Sequence, residues 1–289
     1  MASLKEIKSR IQSVKSTQKI TSAMMMISSA KLKKAQNRIE NLYPYQKKMD
    51  ELLSIFLSSE FEYPSPLSEV RKVKRVAIVA FSSNSSLAGR FNNNVIDKLK
   101  ETVKKYQHLE KEDILIYPFG DKVAKATKAL GFTPQGNYND ESETPSYDMA
   151  QVFTGKLIDL FLSKKIDEVV LIYHHFKNRA NQILTVETFL PIQLKPVDTN
   201  QKTLDYIVEP DKTTIVNQLI PSVLKLKFYT VHSDSVTSEH AARAMAMQIA
   251  TDNADDLISE LTIQHNKLRQ QSITNELLDI VSGSFGKKK

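Results

Sequence analysis

The sequence has no cysteine, no tryptophan and only seven glycines in 289 residues. Without cysteine there is no disulfide framework, thiolate metal site, cysteine nucleophile or dithiol switch, which fits a reducing compartment. The glycines stand at 89, 120, 131, 136, 155, 283 and 286, so no two are spaced as G-x-G and the phosphate loop G-x-x-x-x-G-K-[ST] is absent. Neither dinucleotide nor P-loop binding is expected. Long apolar runs are missing too. The uncharged stretch from Val76 to Gly89 is too short and too polar to span a bilayer, which takes about 20 apolar residues.

Catalytic spacing is equally scarce. The patterns H-E-x-x-H and G-x-S-x-G do not occur. His174 and His175 are adjacent at a strand end, so their side chains point to opposite faces and cannot share a metal. Acidic pairs such as Asp255 and Asp256 have no second cluster to converge on. No enzyme active site, cofactor or metal is expected.

What the chain does have is an uneven charge. Residues 1–50 hold 11 Lys or Arg against 3 Asp or Glu, a balance of +8, and the remainder carries 29 against 30. The basic character therefore belongs to one N-terminal segment. A solvated face, a nucleic-acid or anionic-membrane surface, and a seat for an acidic protein all remain open for it. Interleaved aromatics, the usual companions of nucleic-acid binding, are confined to Tyr43 and Tyr45.

That segment reads as a helix. Ser3 followed by Glu6 is a capping box. From there Leu4, Ile7, Ile11, Val14, Gln18, Thr21, Met25, Ser28, Leu32, Ala35, Ile39 and Leu42 alternate in steps of three and four, the seam of a coiled coil. Pro44 removes a backbone donor and predicts a bend near Leu42 and Tyr43. At the other end Met247, Ala250, Ala254, Leu257, Leu261, Gln264, Leu268, Gln271, Asn275 and Leu278 alternate in the same way. An antiparallel helical pair is the simple geometry, with a lone tip where the second helix outruns the first. Helical composition starts near Asp211, and Pro221 predicts a kink or restart. Gly283 to Lys289 reads as a stop and a basic tail.

Between them the pattern changes to β-rich apolar runs, Val76–Phe81, Ile114–Phe119, Val169–His174 and Ile183–Leu194. Helical stretches near Asn93–Tyr106, Lys122–Leu130 and Asp148–Leu162 separate them. This alternation predicts a mostly parallel, doubly wound, Rossmann-like α/β domain. Gly131–Ser146 reads as a surface loop and Phe61–Ser68 as the link from helix to domain. The junction Ser82 to Arg90 reads as a polar turn, with a small anion nest as the alternative. The expected organisation is an N-terminal helix over 1–60, an α/β domain over 70–205 and a C-terminal helix over 210–289.

Particular segments carry a resemblance. Ser238-Glu239-His240-Ala241-Ala242-Arg243-Ala244-Met245-Ala246-Met247, then Ala250-Thr251-Asp252-Asn253-Ala254, closely resembles the C-terminal helix of the gamma subunit of F-type rotary ATP synthases. Asn266 to Glu276 and Ile280-Val281-Ser282-Gly283 are similar to that family's C-terminal signature. Ile7 to Ile11, Thr17 to Thr21 and Ala23-Met24 resemble its N-terminal helix. The middle is looser. Where the family has S-x-D-R-G-L-C-G after the first strand, this chain has Asn84-Ser85-Ser86-Leu87-Ala88-Gly89, and Gly283-Ser284 replaces the usual Gly-Ala.

The resemblance implies a non-catalytic central shaft that couples ion flow to ATP chemistry in other subunits. Its implied partners are the alpha and beta subunits of a catalytic hexamer, an epsilon subunit and a membrane c-ring, with no nucleic acid. It implies that Met24, Arg269, Gln270 and Thr274 meet the beta subunit, and that Tyr206 and Glu209 lie on the ring side. A peripheral position on the cytoplasmic face of a bacterial inner membrane follows from the same likeness. The rival expectation is a coiled-coil scaffold with a basic nucleic-acid-binding arm, whose binding would weaken steeply with salt.

Overall fold

A computed structural model describes residues 3–58, 65–192, 209 and 212–285. Among the described residues six α-helices and four strands follow in the order α1 (Leu4–Ser58), β1 (Val76–Phe81), α2 (Phe91–Lys105), β2 (Ile114–Phe119), α3 (Asp121–Ala129), α4 (Asn139–Glu143), α5 (Tyr147–Leu162), β3 (Glu168–Asn178), β4 (Asn181–Leu190) and α6 (Lys212–Phe285). Contacts divide the chain into two compact units, Met1–Ser28 with Ala244–Lys289, and Ser29–Arg243.

In the second unit the sheet order is β2-β1-β3-β4. β1 runs parallel to β2 and β3, and β4 closes the edge antiparallel to β3. The helices cover both faces, as a doubly wound sheet requires. β1, flanked on both sides, reads as an unbroken apolar run and is buried throughout. Alternate residues serve opposite cores. Val76, Ile78 and Ala80 join Ile116, Val170 and Ile172 under Val95, Leu99 and Val123 of α2 and α3. Ala77, Val79 and Phe81 join Phe119, Leu171, Leu157 of α5, Phe228 of α6 and Leu53 of α1.

The expected bounds of β1 and β2 match the structure. β3 and β4 form a hairpin across Arg179 and Ala180. The stretch expected as a plain loop over Gly131–Ser146 is partly ordered into α4, because Tyr138 stacks on Phe119 at 4.8 Å and Ser142 is buried. Part of the expected link Phe61–Ser68 lies outside the described residues. Its end is a short 3-10 turn, Pro66–Ser68, whose start is capped by Ser65 Oγ accepting from the Leu67 N–H.

Pro221 does not restart the C-terminal helix, since α6 runs unbroken from Lys212 to Phe285. An interior proline costs about 3 kcal/mol, but burying one large apolar side chain returns roughly 1.5–3 kcal/mol. Ile220, Val223, Leu224, Leu226 and Phe228 are all buried around it. Helix α1 likewise continues through Pro44.

Candidate functional site

The first unit is built from the start of α1 and the end of α6. The Glu6 N–H donates to Ser3 Oγ at 3.2 Å, which is the hydroxyl half of the capping box. In this unit every expected seam position of α1 is buried or half-buried, while Ile20, Met26 and Ile27 outside the seam are exposed. The polar seam position Thr21 meets Thr251 hydroxyl to hydroxyl at 2.8 Å.

That contact corrects the second seam. Met247, Ala254, Leu261 and Leu268 lie inward as expected and Ala250 is half-buried, but the later alternate positions are Ile258, His265 and Ser272, in step with the buried Thr251, rather than Leu257, Gln264 and Gln271. Both Leu257 and Ile258 are apolar, so spacing alone leaves a three-four or a four-three step open. The Thr21 to Thr251 bond selects the second.

Burial along α6 persists from Thr251 to Ser272 and then stops: residues 273–282 are all exposed. From Thr21 back to the start of α1 at Leu4 is a similar length, so the helices are antiparallel and the partner ends where burial does. Beyond it lies a bare tip carrying Ile273, Leu277, Leu278, Ile280 at 68% exposure and Val281. Exposed apolar groups in such a cluster mark a surface that expects a neighbour.

Arg269, Gln270 and Thr274 are exposed where the pairing ends, and the Thr274 hydroxyl donates back to the Gln270 carbonyl at 2.9 Å. Met24 is half-buried beside the α1 seam. Lys5, Lys8, Arg10, Lys15 and Lys19 are exposed and have no ion-pair partner among the described residues. Glu209 is exposed, and Tyr206 lies outside the described residues.

Sequence reasoning missed the polar segment of α6 in the second unit. In doubly wound sheets ligands bind at the carboxyl ends of the strands, where the strand order switches direction, here between β1 and β3. α6 itself occupies that crevice. Ser238 Oγ donates to the His174 carbonyl at 3.0 Å. The Arg243 guanidinium donates to Ser85 Oγ at 2.8 Å and pairs with Glu239. Burial raises the Glu239 carboxyl, and Arg243 opposes that shift. Ser83 and Asn92 bond to one another and Asn84 donates to the Asn139 carbonyl, so the polar turn after β1 spends these groups on neighbouring elements of the fold.

His174 and His175 do face opposite ways. His174 is buried against Phe91, with ring centroids 4.5 Å apart, and burial lowers its pKa to about 4. His175 Nδ1 lies 2.6 Å from Asp234. An open groove of about 690 Å³ along α5 is bordered by Lys156, Asp159, Ser163, Lys165 and Lys225, and the Ser163 hydroxyl donates to the Leu160 carbonyl at 3.2 Å instead of to a base. Among the described residues no group of three potential ligands is placed to hold a metal.

Two long helices paired in one unit, with a bare helical end, and a doubly wound α/β unit define a protein of paired long helices with an α/β domain. The ATP synthase family matches residues 3–285. The chain is 56% identical to the ATP synthase gamma chain of Bacteroides fragilis, covering 99% of this chain and 100% of that one. It is 53% identical to the gamma chain of Bacteroides thetaiotaomicron over the same shares. Its fold matches a chain of the Euglena gracilis mitochondrial ATP synthase (OSCP/F1/c-ring) with a TM-score of 0.66 and 20% identity, covering 99% and 96% of the two chains. The chain belongs to the ATP synthase gamma-chain family.

Proposed function

We propose that this chain is the central-stalk gamma subunit of a rotary F-type ATP synthase. It transmits ion-driven rotation of a membrane ring to catalytic beta subunits, and it performs no bond-making itself. Family membership over residues 3–285 carries this reading. The bare tip of α6 and the unpaired cations of α1 supply surfaces for surrounding subunits.

The partners are the alpha and beta subunits of the hexamer, the epsilon subunit and the c-ring. An asymmetric shaft presents a different face to each catalytic site in turn, which biases each site between conformations without covalent chemistry. Met24, Arg269, Gln270 and Thr274 contact beta, and Tyr206 and Glu209 lie toward the ring. Exposed polar side chains suit a sliding contact, because surface ion pairs contribute only about 0–1 kcal/mol and release easily. The chain is peripheral, on the cytoplasmic face of a bacterial inner membrane. No helix among the described residues is long and apolar enough to cross one.

The test is recovery of a tagged chain from native membranes. Co-purification of a hexameric ATPase with an integral ring supports the reading. Nucleic acid recovered without them overturns it.

A further inference from the structure

Strand β3 outruns β1. Their pairing ends at Ala80 opposite Ile172, while β3 continues to Asn178 with β4 on its other side. The overhang leaves backbone groups of β3 without a strand to answer them, and buried groups of that kind are costly. Two side chains of α6 answer instead. Asp234 Oδ1 accepts from the Phe176 N–H at 2.7 Å, and Ser238 Oγ donates to the His174 carbonyl at 3.0 Å. Asp234 and Ser238 are four residues apart, hence on one face of the helix. Asp234 Oδ2 also holds His175 Nδ1, and the buried Tyr43 hydroxyl of α1 lies beside the carboxylate.

The side chain of Asp234 is only 4% exposed. A buried charge is a poor way to gain stability, since well-packed apolar residues often do as well or better. What it supplies is direction. Apolar contact is indifferent to small turns and slides of a helix, whereas bonds from one helix face to the fixed backbone of a strand permit a single angle and height.

We propose that Asp234, assisted by Ser238, is a positioning key that fixes the angular register of α6 on the sheet, so that torque on the α/β unit turns this helix instead of slipping it in its seat. The proposal rests on the central-stalk reading and adds a load-bearing role for residues that touch no partner.

The test uses the assembled complex with Asp234→Asn, which keeps the side chain's shape, and separately Ser238→Ala. Hydrolysis by the detached catalytic hexamer with this chain, where the shaft turns unloaded, is expected to stay within about twofold of wild type. ATP synthesis in vesicles at a limiting ion gradient, and stall torque in single-molecule rotation, are expected to fall severalfold with Asp234→Asn and less with Ser238→Ala. Loaded activity that matches wild type, or an equal loss with and without load, overturns the key. A second measurement is independent of assembly. In the full-length chain alone, exchange of the Phe176 amide is expected to quicken by about tenfold with Asp234→Asn, because the amide oxygen left to accept this bond is neutral and so a weaker partner than the carboxylate. Unchanged exchange overturns the key. A wild-type chain that fails to assemble with the ATPase refutes the central-stalk reading, and the key then stands or falls on the exchange result.

Discussion

Mild acid is expected to unfold this chain through three buried histidines, each held neutral. His232 is 0% exposed, with its ring 5.4 Å from Phe81 and 5.5 Å from Phe119. Its Nε2 faces the Ser142 carbonyl, which can only accept, so the proton sits on Nε2 and Nδ1 is bare. Protonating Nδ1 would create a buried donor without an acceptor. The Nδ1 atoms of His174 and His240 are likewise without partners. Burial lowers all three to about 4 from 6.5, with the charges of Lys31 and Arg243 adding to the effect at His240 and that of Arg38 at His232.

A pKa lower in the folded than in the unfolded state means that the unfolded chain binds protons first. The folded state therefore loses stability as the pH falls from 6.5 toward 4. At pH 5 each histidine accounts for about 2 kcal/mol relative to pH 8, and three acting additively for about 6 kcal/mol. That is comparable with the whole stability of many domains, about 5–15 kcal/mol. Asp234 and Glu239 act the other way, because burial raises them, and their protonation offsets part of the loss. The assay is urea unfolding of the full chain followed by circular dichroism across this pH range. His232→Gln keeps a donor for Ser142 and removes one titration, so it is expected to reduce the pH slope by about one proton in three. A midpoint that stays level down to about pH 5, or a slope untouched by His232→Gln, refutes the reasoning.

Three further outcomes are expected. Gly120→Ala is expected to destabilise the second unit by more than about 1–3 kcal/mol, because φ is +103° and the added Cβ would sit 2.3 Å from the Ser82 carbonyl oxygen; thermal unfolding measures it. Arg243→Met leaves Glu239 buried without its cation and is expected to cost about 3–5 kcal/mol, whereas adding Glu239→Gln to it is expected to restore much of the loss in a double-mutant cycle. Arg269→Ala with Gln270→Ala, both exposed, is expected to leave the melting temperature within a few degrees while lowering coupled ATP synthesis in vesicles; unchanged coupling removes them from the beta contact.

The amino-acid sequence by itself determined the elements whose cause is local. The start of α1 at Ser3, the seam through Leu32, Ala35 and Ile39, and the apolar runs of β1 and β2 follow from capping, period and continuous hydrophobicity, each written within a few residues. The absence of phosphate-loop glycines was equally legible. That the second helix outruns the first was legible as well, although the polar positions Gln264 and Gln271 that suggested it lie off the seam and the bare stretch starts only after Ser272.

Only the tertiary structure decided the rest. Whether Leu257 or Ile258 turns inward depends on which residue of α1 stands opposite, and here Thr21 chose Thr251. Pro221 stays inside a continuous helix because the neighbours that hold it come from distant strands and helices. Asp234, Ser238 and Arg243 look in the sequence like the polar face of a solvated helix. They are buried because β3 extends past β1 and α6 fills the vacant crevice. Local spacing fixes which way a side chain points along its own helix, but burial depends on what long-range packing places in front of it.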